Sequence, residues 1–104
     1  MHTDSWKKFE NRICKRLGGK RRGADYKSIR GGNNDCIGID GFSVEIKVWE
    51  HPYYQMMLDE TRRAEEHRDK PDDIPLAIIK RKGDRDNDAL VIFRLETFEK
   101  LLEE

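Results

Sequence analysis

The chain has little cysteine: Cys14 and Cys36 are the two among 104 residues, and they form no CxxC pair. That spacing fits no disulfide framework. With His2, His51 and His67 scattered, it also gives no structural zinc site. Buried, reduced thiols in an intracellular protein are therefore expected. No apolar run approaches the length needed to cross a bilayer, and Met1–Trp6 has no apolar signal core. The expected setting is the cytoplasm (a host's, for a viral protein), with no membrane partner. Gly18-Gly19-Lys20 lacks the rest of the phosphate-loop pattern GxxxxGK[ST], so it reads as a helix stop followed by a basic loop. Repeats and low-complexity segments are absent. Net charge is zero as well, from 21 basic and 21 acidic residues.

That zero conceals an asymmetry. Residues 1–34 carry ten Lys/Arg against three Asp/Glu, whereas residues 35–104 carry eleven against eighteen. Basic pairs and triplets (Lys15-Arg16, Lys20-Arg21-Arg22) stand beside glycines, where a loop could follow a phosphate backbone. The competing explanation is attraction between the two halves within the fold. One domain spanning 1–104 is expected from the length. Apolar residues make up 36% and charged residues 40%. A chain this short buries roughly two-thirds of its unfolded surface, so the core is thin and a homodimer is a natural way to hide more of it.

Asp4 or Ser5 can cap a first helix that Gly18-Gly19 ends. Its apolar arc is Trp6, Phe9, Ile13, Cys14 and Leu17. Glu10 lies within the arc, either as a functional acid or as an edge residue that bends toward solvent or pairs with a lysine. A short strand is expected around Tyr26–Ile29. Phe42–Val48 alternates with period two, which puts Ser43, Glu45 and Lys47 on one face and the apolar residues on the other. Asp35–Gly38 should pair with this run as a hairpin through the three-residue loop Ile39-Asp40-Gly41, bringing Asp35 opposite Glu45.

A second helix is expected from Tyr53 to about Arg68, with ends set to within roughly two to four residues. Its stripe is Tyr54, Met57, Leu58, Thr61 and Ala64. The acidic run Asp59-Glu60 to Glu65-Glu66 reads as a solvated face. Leu76–Ile79 and Ala89–Phe93 read as strands, Asp86-Asn87-Asp88 as a solvated loop, and Leu95–Leu102 as a closing helix. The predicted class is α/β (α+β), with a central mixed five-stranded sheet flanked by helices in the order α-β-β-β-α-β-β-α.

Two carboxylates and an ammonium within a strand pattern need each other or a metal for company. Glu10, Asp35, Glu45-Ile46-Lys47 and Gln55 together resemble the PD-(D/E)xK nuclease superfamily. Within it the small size is similar to the archaeal and phage Holliday-junction resolvases. Asn34 stands where the superfamily's name has proline.

The resemblance implies a restriction-endonuclease-like core and a homodimer that cuts branched DNA with Mg²⁺, with Mn²⁺ able to substitute. Asp35, Glu45 and the Ile46 carbonyl would hold the metal, and Glu10 would reach it through a water. Lys47 would orient the attacking water or neutralise charge on the phosphate. Gln55 would position the nucleophile or a phosphate, unless it is only the polar start of a helix. Lys15, Arg16, Lys20, Arg21, Arg22, Lys27, Ser28 and Arg30 would hold DNA arms. Trp49, Tyr53 and Tyr54 suit either base stacking or a core or dimer contact. Cutting of duplex, flap or single-stranded DNA, or DNA binding without chemistry, are the alternatives.

Overall fold

The period-two run becomes the central strand. The computed structural model describes residues 5–23 and 32–103. Its elements are α1 (Ser5–Arg16), β1 (Lys20–Arg21), β2 (Cys36–Ile37), β3 (Phe42–Trp49), α2 (Tyr54–Glu66), β4 (Ile74–Arg81), β5 (Leu90–Ile92) and α3 (Leu95–Leu102). From Cys36 onward the elements follow the expected order, but the first strand is Lys20–Arg21, in a stretch expected to be a basic loop. The expected single sheet does not form: the strands make two sheets, an antiparallel β1-β2 pair and a mixed sheet β3-β4-β5. β3 and β4 run parallel from Phe42–Ile74 to Trp49–Arg81, with α2 as the crossover between them. β5 returns antiparallel to β4. The strand expected around Tyr26–Ile29 lies outside the described residues.

Alternation along β3 sorts the layers. Val44 and Ile46, with Leu76 and Ile78 of β4, pack against Phe9 and Ile13 of α1. Each such side chain, fully buried, contributes about 1.5–3 kcal/mol relative to exposure. The other face of β3 meets α2, where the Ser43 hydroxyl donates to the Ala64 carbonyl at 2.6 Å. Leu17, Trp6 and Tyr54, assigned to apolar stripes, remain substantially exposed.

The hairpin differs from expectation. The Ile39 carbonyl accepts from the Phe42 N–H at 3.2 Å, so the turn is the two-residue Asp40-Gly41 one. Gly41 has φ +84°, a value that side chains rarely adopt. β2 pairs with β1 rather than β3, through Lys20–Ile37 and Arg21–Cys36. Gly19 explains why this pairing wins: a Cβ there would lie 2.2 Å from the Ile37 oxygen, so only glycine lets the chain after α1 come this close to β2.

Cys14 and Cys36 are not free thiols but a disulfide, joining α1 to β2 across 22 positions. A spacing carries no information about which elements the fold brings together, and the thiol argument for a reducing compartment falls with it. Among the described residues no helix is long and apolar enough to cross a membrane.

Asp86, expected in a solvated loop, starts a 3₁₀ turn (Asp86–Asp88) and anchors two elements. Arg12 of α1 donates to its carboxylate at 2.7 and 3.0 Å, and Lys80 of β4 at 3.2 Å. The Arg12 hydrogen bond, with help from Lys80, holds the Asp86 carboxyl down at about 2. A depressed carboxylate stabilises the fold above the ordinary value of about 4 and loses that contribution as pH falls through its own lower value. Asp86→Asn should therefore cost about 1 kcal/mol at pH 7 in urea unfolding. The gap to the parent should narrow as pH falls from about 4 and close only below about pH 2, the folded value; a gap that does not narrow over that range would show that the contact is not electrostatic.

Candidate functional site

The edge of β3 that faces away from β4 is where the acids meet. In a strand, one residue's N–H and C=O leave on the same side, and on β3 those of Val44 and Ile46 point away from β4. Asp35 occupies this edge. Its N–H donates to the Val44 carbonyl at 2.8 Å. Its carboxylate accepts from the Ile46 N–H at 2.7 Å. The Ile46 carbonyl therefore faces the same edge, although the Ile46 side chain is core. Asp35 reaches β3 by backbone and side chain together rather than by the ladder the sequence suggested.

Three further acids surround it from three elements. Glu10 of α1 is buried, and its carboxylate accepts from the Arg21 Nε at 2.9 Å. Glu45 of β3 is 3% exposed, with its Oε2 at 3.3 Å from the His67 Nδ1. Glu60 of α2 is 5% exposed. Lys47 is the cation shared by all four acids and lowers each of them.

Every one of these carboxyls is nevertheless raised above its ordinary value, with burial as the first cause. For Glu10 the second raising cause is Asp35. Asp35 is raised by burial against the opposing pull of the Ile46 N–H, Lys47, Arg21 and His67. Glu45 is raised furthest, by burial and then by Asp35 and Glu60, well beyond the glutamate range. Glu60 is raised by burial, Asp35 and Asp59. Negative charge is thus costly throughout this cluster, and a bound cation would relieve it.

An open groove of about 460 Å³ is lined by Glu10, Asp35 and Lys47, together with Trp6, Arg21 and Asn34. Glu45 and Glu60 are buried and do not line it. Among the described residues no three His, Cys, Asp or Glu side chains converge closely enough to chelate an ion by themselves. The donor set at the edge is therefore carboxylate and backbone oxygen. Such hard donors suit Mg²⁺, which binds through one or two carboxylates and keeps several waters.

The remaining expected site residues divide. Gln55 is exposed and donates to Asp59 at 2.8 Å, so it stays on the outer side of α2 and is not brought to the acids. Glu60 stands there instead. Its signal in the sequence was its position, three after Met57 and four before Ala64 on the buried stripe, but it read as one of a run of solvated acids.

Lys15 and Arg16 are exposed in the last turn of α1, and Lys20 is exposed in β1. Arg21 is turned inward onto Glu10, with its guanidinium 5.6 Å from the centre of the Trp6 ring. Arg22 is buried: its Nε donates to the Asn34 carbonyl at 2.7 Å and its Nη2 to both Asp69 oxygens at 3.0 and 3.1 Å. Gly32 packs beneath that pair, since a Cβ there would lie 2.0 Å from the Asp69 Oδ1. Part of the charge asymmetry is thus used within the fold, as Arg12–Asp86 and Arg22–Asp69 both join the basic and acidic halves. Lys27, Ser28 and Arg30 lie outside the described residues. Trp49 is half-buried, whereas Tyr53 and Tyr54 are exposed.

Compared with family models, with curated proteins and with solved structures, the chain has no match in any of the three.

Proposed function

We propose that the chain is a Mg²⁺-dependent endodeoxyribonuclease of the PD-(D/E)xK kind, with a restriction-endonuclease-like core. It acts on branched DNA as a homodimer, and Mn²⁺ substitutes for Mg²⁺. One observation carries the reading: Asp35 is hydrogen-bonded to the edge of β3 that faces away from β4, beside Glu45 and Lys47, with Glu10 of α1 within electrostatic reach. A helix acid, an acid before the strand, and an acid and a lysine two apart on the strand share one charged neighbourhood.

Asp35, Glu45 and the Ile46 carbonyl would hold the cation, and Glu10 would reach it through water. When bound, the cation supplies Lewis-acid charge and lowers the pKa of water beside it. The chain's own groups do the rest. Lys47, at the groove, offsets charge that builds on the scissile phosphate. Arg21 keeps Glu10 in place. Lys15 and Arg16, exposed in the last turn of α1, and Lys20 of β1 would contribute phosphate-binding charge, reading backbone and shape rather than bases. Two copies would place two grooves on opposed strands and leave 5′-phosphate ends. Pairing of two copies would cover apolar surface along β5 and α2, where Leu90 and Tyr54 are exposed.

A second reading keeps the chemistry and changes the substrate to duplex, flap or single-stranded DNA. The inward engagement of Arg21 and Arg22 favours it, because it narrows the basic surface available to junction arms. Labelled four-way junctions, flaps and duplexes of matched sequence, incubated with Mg²⁺, separate the two. The junction should be cut at least about tenfold faster than linear duplex, a preference of about 1.4 kcal/mol in the transition state. Equal rates would remove the junction assignment, and no cutting of any DNA would leave a binding module.

A further inference from the structure

The residue with the least satisfied chemistry in this neighbourhood belongs to no motif. Glu60 has a side chain 7% exposed, and its Oε2 has only a distant Arg63 Nε, at 3.9 Å. Among the described residues its Oε1 is buried with no hydrogen-bond partner. An acceptor left so is destabilising by about 1–3 kcal/mol, more for a charged one, unless something else donates to it. Its placement is specific. Ala64, one turn further along α2, is fixed over Ser43 by the hydroxyl–carbonyl bond. One helical turn back from Ala64 covers nearly the same distance as two residues forward from Ser43, so Glu60 falls over the Glu45–Lys47 stretch of β3. Electrostatic interaction with Glu45, Asp35 and Lys47 agrees with that placement.

The fold could have put an alanine here, as it does at position 64. A carboxylate with an open oxygen beside two proposed ligands needs a donor that arrives with the ligand. Mg²⁺ and Mn²⁺ bring such donors as the waters they retain. We infer that Glu60 is an outer-sphere carboxylate of the metal site, its buried free oxygen accepting from water on a divalent cation held by Asp35 and Glu45. This rests on the metal-dependent reading of that site and adds to it a positioning residue from α2. Groups in this role hold metal affinity without touching the metal, and their loss typically costs 10–100-fold.

Direct titration with Mn²⁺, followed by the paramagnetic signal of the free ion, tests this on the full chain without DNA. Glu60→Gln keeps the shape and removes the charge. It should weaken Mn²⁺ binding at least about tenfold, while circular dichroism and the metal-free melting temperature stay at or above those of the parent. Glu60→Asp, which retains the charge but withdraws the oxygens, should show a smaller loss and serves if the glutamine protein does not fold. Affinity within twofold of the parent in a folded variant overturns the inference and leaves the nuclease reading intact. A parent that binds no Mn²⁺ overturns both. Weakened Mn²⁺ binding in a protein that cuts no DNA keeps the metal role of Glu60 and removes the nuclease.

Discussion

Glu45→Gln should abolish Mg²⁺-dependent cleavage, by about three orders of magnitude or more, and yet make the metal-free protein more stable. On the proposed function, the first effect follows from losing a carboxylate that would hold the cation, about 4 kcal/mol of transition-state stabilisation corresponding to a thousandfold. The second follows from burial. Glu45 is 3% exposed among Asp35 and Glu60, and its carboxyl is held well above the ordinary range. A group whose folded pKa is raised binds protons more readily folded than unfolded. Its burial therefore opposes folding increasingly as pH rises from the unfolded value through the folded one. At pH 8 without metal the parent carries that penalty and the amide does not.

The variant should gain about 1–3 kcal/mol at that pH, since a tenfold difference in proton affinity between the folded and unfolded chains corresponds to about 1.4 kcal/mol. The gain should shrink as pH falls toward about 5, where the two states bind more nearly the same number of protons. Single-turnover cleavage and metal-free melting at the two pH values measure both halves. DNA binding without metal should be unaffected or tighter, because a negative charge has gone. A variant that cuts normally removes Glu45 from the chemistry. One that is destabilised at pH 8 shows that the carboxylate serves the fold instead.

Breaking the Cys14–Cys36 bond should have the largest effect on stability. The bond closes a loop across 22 positions, and both half-cystines are buried. Loops of that length contribute about 3 kcal/mol by restricting the unfolded chain. In a domain this small, that should appear as a fall in melting temperature of roughly 12–24 °C on reduction. The bond also ties α1, which carries Glu10, to the strand next to Asp35. Paired Cys14→Ala and Cys36→Ala substitutions should therefore lower cleavage at temperatures where the protein is still folded. A melting temperature that moves by less than about 3 °C on reduction would mean that the loop is already restrained by β1–β2 pairing.

What the sequence disclosed, and what it hid, separates along local and non-local lines. The β3 alternation is local, and it placed Ser43, Glu45 and Lys47 on one face as the structure has them. The helical stripe of α1 likewise brought Glu10 to the interior. Pairing between distant segments was not legible. Cys14 with Cys36, and β2 with β1, depend on a close approach that Gly19 permits.

Charges misled most. Glu60, Asp86 and Arg22 each sat in a polar stretch that reads as solvent-exposed. Asp86 and Arg22 are instead held by Arg12 and Asp69, neighbours that no window of sequence contains, and Glu60 is buried among the acids of other elements. Gln55 misled in the opposite way, since it matches the expected order of polar groups but faces outward.

The way Asp35 lies against β3 has a further consequence. An outermost strand eight residues long offers unpaired amides and carbonyls to any passing chain, which is how sheets accrete into aggregates. Asp35 takes the Val44 carbonyl with its amide and the Ile46 amide with its carboxylate. A foreign strand would have to displace both and bring its own backbone up to a buried acid. Asp35 thus occupies the rim along which a second copy would add, and a small side chain at position 35 should leave a stickier protein.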